Sequence, residues 1–243
     1  MEFILNGEKT DFSGDEKLPL LSFLRGQGVT SVKNGCSNQG ACGACLVEMN
    51  GKPTLACRTP MSKVEGSTII TIEGFPQKLR ETLGRAFVQK GAVQCGFCTP
   101  GFLARTRILL EKNPNPSRED IVKALTPHIC RCTGYVKIVE AVEEAARSLR
   151  ENSNIQLPEN GRIGFSLPKY DAYMKAIGQS EFIADMRMDN MVFGALKFSD
   201  HPRARILRID TTEAEKMPGV IRVSPHGTSP VSELQGTLRT TGR

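Results

Sequence analysis

The sequence predicts an α+β protein in which a small β-sheet is followed by a bundle of four helices and then by further strands. Three observations support this prediction. Short strand patterns with hairpin turns occupy residues 1–76, and helical periodicity dominates residues 77–152. All eight cysteines lie within these two regions, in two groups of four. Residues 153–177 are rich in Asn, Ser, Pro and Gly, which predicts a linker, and residues 178–243 begin with new strand patterns.

The first region reads as a short series of strands around one brief helix. Asn6-Gly7 follows an apolar strand pattern and favours a hairpin turn. Pro19 begins a helix whose apolar side chains are closely spaced, and Gly26 ends it. The predicted strands are Phe3–Leu5, Lys9–Phe12, Leu46–Met49, Thr54–Cys57 and Thr68–Ile72.

The second region predicts four helices. The first is amphipathic and ends near Gly91; the second has Pro100 at its start, where a missing N–H group costs nothing. Ser117 and Asp120 form a capping-box-like start for the third. Thr133 is predicted to cap the fourth. The predicted helices run over Leu79–Gln89, Pro100–Lys112, Ser117–Leu125 and Thr133–Leu149.

Composition excludes several classes of protein. The net charge of +6 is modest and its Lys and Arg residues are scattered, with no stacking-aromatic motif, which disfavours a nucleic-acid interface. No stretch approaches the roughly 20 apolar residues of a membrane span, and the N-terminus lacks a signal-peptide pattern. We therefore expect a reducing, cytoplasmic compartment, where eight cysteines indicate metal sites rather than disulfides.

The first cysteine quartet comprises Cys36, Cys42, Cys45 and Cys57. Glycines around the first three permit a loop that points N–H groups at sulfur, an arrangement that tunes iron–sulfur centres. The order of these cysteines is similar to the plant-type ferredoxin pattern, although five residues separate Cys36 from Cys42 where that pattern has four. The extra residue predicts either a small bulge with the site intact or one ligand with altered geometry.

The second cysteine quartet comprises Cys95, Cys98, Cys130 and Cys132. Both pairs precede predicted helices, whose N-termini favour anionic sulfur. Zinc is the main alternative to iron, but zinc knuckles pair two CxxC turns, so the CxC pair favours a [2Fe–2S] cluster. No βαβ pattern supports a thioredoxin-like role, and a lone histidine, His128, is expected to be structural rather than a ligand.

The segments around both cysteine quartets carry specific motifs, among them Val32-Lys-Asn-Gly-Cys36 and Cys130-Arg-Cys-Thr-Gly-Tyr135. Together these motifs resemble the xanthine dehydrogenase/aldehyde oxidoreductase family of molybdenum hydroxylases. The resemblance covers residues 1 to about 150 well and continues through scattered motifs to about residue 220. That second part is similar to the start of the family's α/β hammerhead domain. The other matching motifs include Gln94-Cys-Gly-Phe-Cys-Thr-Pro-Gly101 and His201-Pro-Arg-Ala-Arg-Ile206.

The resemblance implies a fold, a function and two further site residues. It implies a β-grasp ferredoxin-like domain, a four-helix domain and a partial hammerhead segment, with one [2Fe–2S] cluster in each of the first two. The chain would relay electrons from a molybdenum cofactor to a flavin or another acceptor. Gln94 would hydrogen-bond a molybdopterin-type cofactor and Cys132 would contact its amino group. The hydroxylation site itself is expected on a partner chain, so no catalytic residue is expected here.

Two alternatives and one further expectation accompany this interpretation. A free-standing two-cluster ferredoxin would use the same thiols without a hydroxylase partner, and a zinc-stabilised scaffold would use them without redox chemistry. The strand patterns after residue 178 are not followed by a second half of a core, so we expect a molybdenum-binding subunit to complete them. A flavin-binding subunit is a second expected partner.

Overall fold

The computed structural model describes residues 1–158, 161 and 163–224. It divides the chain into two compact units, with the boundary after Arg187. No helix in the described ranges combines the length and the apolar character needed to cross a bilayer.

The first part of the larger unit is a five-stranded mixed sheet. Its strands are β1 (Glu2–Leu5), β2 (Glu8–Asp11), β3 (Leu46–Met49), β4 (Lys52–Leu55) and β5 (Thr68–Ile70). They lie in the order β2-β1-β5-β3-β4, and only the β1–β5 pair is parallel. Helix α1 (Leu20–Gly26) buries Leu20, Leu21 and Leu24 in the core beside the sheet. The strands and helix predicted for residues 1–76 are thus confirmed, with small shifts at their ends.

Four helices follow and share a second core. They are α2 (Gln77–Gln89), α3 (Thr99–Lys112), α4 (Arg118–Leu125) and α5 (Val136–Arg150). Phe87 and Phe102 are fully buried at the centre of this core. The capping box is confirmed, because the Ser117 side chain accepts from the Asp120 amide and the Asp120 carboxylate accepts from the Ser117 amide.

Thr133 does not cap the fourth helix, and that prediction is wrong. Helix α5 begins at Val136, after Tyr135, which adopts a positive φ of 70°. The reason lies in the Thr133 hydroxyl, which is 3.1 Å from the Cys130 sulfur and therefore serves the cysteine loop instead of the helix.

The sheet and the helices are joined through α3, which packs against β3. The Arg107 guanidinium, on α3, donates to the Glu48 carboxylate of β3, and both side chains are nearly buried. The same guanidinium lies 5.2 Å from the centre of the Phe75 ring. A charged pair of this kind is stable in a dry interface only when its partners stay aligned, so it ties the two regions together.

Part of the predicted linker is folded. Within residues 153–177, a short helix α6 (Ala172–Ala176) packs on α2 and α3. It buries Ala172, Ala176 and Ile177 against the helical core, because small apolar side chains allow close approach. The boundaries of the predicted domains and linker remain predictions.

The smaller unit contradicts three strand predictions in residues 188–224, the part of it that the structure describes. Met191–Phe198, Ala204–Ile209 and Val220–Val223 form no strand there, and the described secondary structure is the short helix α7 (Thr212–Lys216). A strand pattern becomes a strand only when a neighbouring strand accepts its hydrogen bonds, and among the residues that the structure describes none pairs with these segments. Residues 225–243 of the predicted segment lie outside the described residues.

Candidate metal centres

The first cysteine quartet lies where a long loop meets the β3–β4 hairpin. Cys36 and Cys42 are in the loop between α1 and β3, and Cys45 directly precedes β3. Cys57 follows β4 in a short 3-10 turn, and the hairpin brings it back beside Cys45, whose carbonyl oxygen accepts from the Ala56 amide at 3.1 Å. The sulfurs interact in two pairs, Cys36 with Cys42 and Cys45 with Cys57.

The two pairs of this quartet differ in their electrostatic surroundings. Burial raises the pKa of the Cys36 thiol, but hydrogen bonds from backbone N–H groups, those of Ala41 and Cys42 first, outweigh it and bring the pKa to about 7. Burial raises the pKa of Cys45 to about 12, because its backbone hydrogen bond to Cys57 is too weak to compensate. A metal centre must therefore supply positive charge for Cys45 to bind as a thiolate.

The second cysteine quartet lies at the starts of two helices. Cys95 and Cys98 lie in a loop that ends at the start of α3, as predicted, with Cys98 as its N-cap residue, and Cys130 and Cys132 precede α5. The Cys95 and Cys132 sulfurs are 3.6 Å apart and both residues are exposed. Cys98 and Cys130 form the inner pair, and Cys130 is buried. The Cys95–Cys132 pair therefore faces solvent, and the Cys98–Cys130 pair faces the protein interior.

Within the inner pair, hydrogen bonds favour the thiolate form of Cys130. Burial raises the pKa of Cys130, but the hydroxyl and amide of Thr133, 3.1 and 3.5 Å from its sulfur, hold the pKa below the usual value. The Cys130 amide itself donates to the Tyr135 hydroxyl at 3.0 Å. Burial raises the pKa of Cys98, whose sulfur has only its own backbone N–H as a lowering hydrogen bond.

In both quartets the four sulfurs are arranged as two pairs. A single zinc ion draws four sulfurs to about 2.3 Å from one point. In the described ranges, no group of three or more His, Cys, Asp or Glu side chains converges so as to hold one metal ion. A [2Fe–2S] cluster instead takes two protein sulfurs on each iron. The donor set, four thiols in two adjoining pairs per site, fits a two-iron cluster better than zinc.

The two quartets are in contact through their loops. The Cys42 carbonyl oxygen accepts from the Ile129 amide at 3.0 Å, one residue before Cys130. A Cβ atom on Gly101 would lie 2.5 Å from the Gly43 carbonyl oxygen, so the start of α3 rests directly on the first loop. Only glycine fits this approach. The sequence showed the glycines but gave no signal that these two meet.

His128 and Gln94 differ in burial. His128 is buried, with its ring 4.9 Å from that of Phe102, and burial lowers its pKa to about 4. It occupies the space left by Gly43, which has a φ of +73° and whose added Cβ would lie 2.5 Å from the His128 Nδ1 atom. Gln94 is exposed beside the exposed Cys95. The role predicted for Gln94 and the exclusion of His128 as a ligand both stay predictions.

Family models match three consecutive parts of the chain. A 2Fe-2S iron-sulfur cluster binding domain matches residues 16–80, and a [2Fe-2S] binding domain matches residues 71–143. An aldehyde oxidase and xanthine dehydrogenase a/b hammerhead domain matches residues 177–241. This order confirms the predicted fold class.

Three relatives illustrate the extent of the similarity. The aldehyde oxidoreductase of Megalodesulfovibrio gigas is 39% identical over 98% of this chain and 27% of its own length. The nicotinate dehydrogenase small FeS subunit of Eubacterium barkeri is 46% identical over 58% of this chain and 90% of its own length. The crystal structure of the aldehyde oxidoreductase from Desulfovibrio desulfuricans is 42% identical, with a TM-score of 0.77 over 91% of this chain and 26% of that one. The chain therefore spans about a quarter of the aldehyde oxidoreductases it matches.

Proposed function

Because the chain belongs to the xanthine dehydrogenase/aldehyde oxidoreductase family and carries its two [2Fe–2S]-binding domains, we propose that it is the electron-transfer component of a molybdenum hydroxylase. The observation that carries the proposal is that the eight free thiols fall into two groups of four, each made of two pairs of interacting sulfurs. When bound, each cluster accepts and releases one electron. The expected ligand sets are Cys36, Cys42, Cys45 and Cys57 for one cluster and Cys95, Cys98, Cys130 and Cys132 for the other.

The residues of the first site shield its sulfurs and orient donors toward them. Cys45 and Cys57 are buried, which keeps water from two of the four ligands. Backbone N–H groups at Gln39, Ala41 and Cys42 point at the Cys36 sulfur. Hydrogen bonds to sulfur and exclusion of water are the means by which a protein sets the reduction potential of such a centre.

The second site suits a position against a partner that holds the molybdenum cofactor. Cys95, Cys132 and Gln94 are exposed together, so they are available to another molecule. Two apolar residues within four positions of Cys132 in the sequence are exposed as well, Ile129 by 53% and Val136 by 57%. Apolar groups around an open site favour burial by a partner. In this proposal Gln94 and Cys132 face the molybdopterin-type cofactor, which the partner chain holds.

We also propose an electron acceptor and a cellular compartment for this chain. Electrons would leave through the first site to a flavin-binding subunit or another acceptor. The eight cysteines are free thiols, which a reducing cytoplasm preserves and an oxidising compartment does not.

Metal analysis tests the proposed clusters. The full chain, reconstituted anaerobically with iron and sulfide, should bind about four irons and show two paramagnetic species when fully reduced. A Ser37→Ala variant, altered in the loop but not at a proposed ligand, should behave as the wild type. A colourless chain that binds zinc instead, or a single species on full reduction, would contradict the proposal.

Co-purification tests the partner. A tagged chain expressed in its native host should retain a molybdenum-containing protein. Replacing exposed Val136 with Asp should weaken that association while leaving the iron content unchanged, because the new charge lies beside and not within the proposed ligand set. Purification of the chain alone, without molybdenum, would favour a free-standing ferredoxin.

A further inference from the structure

Residues 178–185, here called the strap, follow α6 and return to the sheet region. The Gly178 carbonyl oxygen accepts from the Thr30 hydroxyl at 3.0 Å. Gly178 has a φ of +77°, and a Cβ atom placed on it would lie 2.5 Å from the Ser31 Cβ atom. The strap therefore starts in close contact with the loop that leads to Cys36, at a position that requires glycine.

The strap ends in a buried cluster of charges. The Asp185 carboxylate accepts from the Lys33 ammonium at 2.7 Å and from the Arg25 guanidinium. It also accepts from the Phe182 amide at 2.9 Å. The Lys33 and Asp185 side chains are each only 1% exposed. A buried charge that loses its partner is strongly destabilised, so this cluster fastens the strap to the sheet region.

One side chain of the strap touches both cysteine-bearing regions. The Phe182 ring meets the Phe97 ring edge-on, with 5.3 Å between centres. Phe97 lies between Cys95 and Cys98, in the loop of the second quartet. On the sheet side, the Lys33 ammonium lies 4.8 Å from the centre of the Phe182 ring. Phe182 thus links the loop of the second quartet to the residue three positions before Cys36.

We propose that the strap acts together with the direct contact between the two loops to hold the cysteine quartets at a fixed spacing, and that Asp185 is its positioning residue. Asp185 holds Phe182 in place through Lys33 and through the Phe182 amide, and Phe182 holds the Phe97 loop. Exchange of electrons and magnetic interaction between two centres both fall steeply with their separation, so a fixed spacing fixes both. This inference rests on the proposed function, since it takes each quartet to hold a cluster.

Asp185→Asn in the reconstituted full chain tests the proposal. We expect hydrogen exchange in the peptide spanning residues 172–187 to rise at least about tenfold, because the buried cations lose their counter-charge. We also expect the magnetic interaction between the two reduced clusters to weaken, with the iron content retained. Glu181→Gln is the matched control: it neutralises an exposed carboxylate of the same strap and should change neither measurement.

Phe182→Ala removes the contact with the Phe97 ring without changing any charge. It therefore also tests the proposal if the Asp185→Asn variant does not fold. We expect Asp185→Asn to raise the midpoint potential of the first cluster, because it leaves the positive charges of Lys33 and Arg25 unbalanced. Phe182→Ala should weaken the magnetic interaction without that rise, because it leaves the charges unchanged. A wild-type chain with two interacting species whose interaction survives both variants would overturn the strap proposal alone. A wild-type chain with one species or none would instead overturn the proposed function.

Discussion

The two cysteine quartets have the same composition but differ in exposure. In the sheet region Cys45 and Cys57 are buried, and no cysteine of that quartet is exposed. In the helical region Cys95 and Cys132 are exposed as a pair, and their loops begin helices instead of closing a hairpin. The comparison teaches that the sheet region covers its own site, whereas the helical region presents half of its site outward. That difference is the reason for placing the second site on the partner side in the proposed electron path.

Removing one ligand from each quartet tests this difference most strongly. We expect Cys45→Ala and Cys132→Ala each to lose about two of the four irons per chain. Cys45→Ala should also lower the melting temperature of the reconstituted chain far more, because Cys45 is 2% exposed within the sheet core and its replacement leaves a cavity. Iron analysis and thermal unfolding measure both effects. Equal destabilisation by the two variants would contradict the contrast in burial.

Gly101→Ala tests whether the quartets depend on each other. Its added methyl group would meet the Gly43 carbonyl oxygen at 2.5 Å, and a backbone atom cannot rotate away. We expect a cost of about 3 kcal/mol in the free energy of unfolding, at the upper end for overpacking. Gly26→Ala is the control, since its Cβ would have no neighbour within 4 Å. Urea unfolding measures the difference; a neutral Gly101→Ala would mean that the two loops move apart freely.

Lowering the pH tests the contribution of the Asp185 carboxylate, which fastens the strap, to the stability of the fold. Burial raises the pKa of Asp185, but hydrogen bonds from Lys33, the Phe182 amide and Arg25 outweigh it and hold the pKa at about 2, below the usual value for an aspartate. Because its pKa is lower in the folded chain than in the unfolded chain, the ionised Asp185 stabilises the fold at any pH above its unfolded pKa. That stabilisation is lost as the pH falls through the folded pKa. We expect about 2 kcal/mol to be lost between pH 4 and pH 2, roughly 1.4 kcal/mol per pKa unit.

The measurement is the stability difference between the wild type and Asp185→Asn, followed by chemical unfolding of the metal-free chains across this pH range. The difference should shrink as the pH falls toward 2. A difference that stays constant would show that the Asp185 carboxylate does not titrate as its contacts require.

Local signals accounted for the elements that carry the sites. Hairpin turns, the proline at the start of α3 and the capping box at Ser117 each act within a few residues, so they could be identified before any packing was known. Thr133 shows where local reasoning ended, because its hydroxyl could serve either a helix or a nearby sulfur. The strand patterns in residues 188–224 failed for a related reason: alternation describes one face of a strand but supplies no partner.

The sequence alone was enough to divide the cysteines into two groups and to predict the kind of centre that each group suits, because ligand spacing and the turns around it are properties of short segments. Tertiary structure alone decided which quartet faces outward, that Gly101 rests on Gly43, and that Lys33 pairs with Asp185 across 152 residues. Those contacts depend on how separate elements pack against each other. Neither periodicity nor spacing along the chain records that packing.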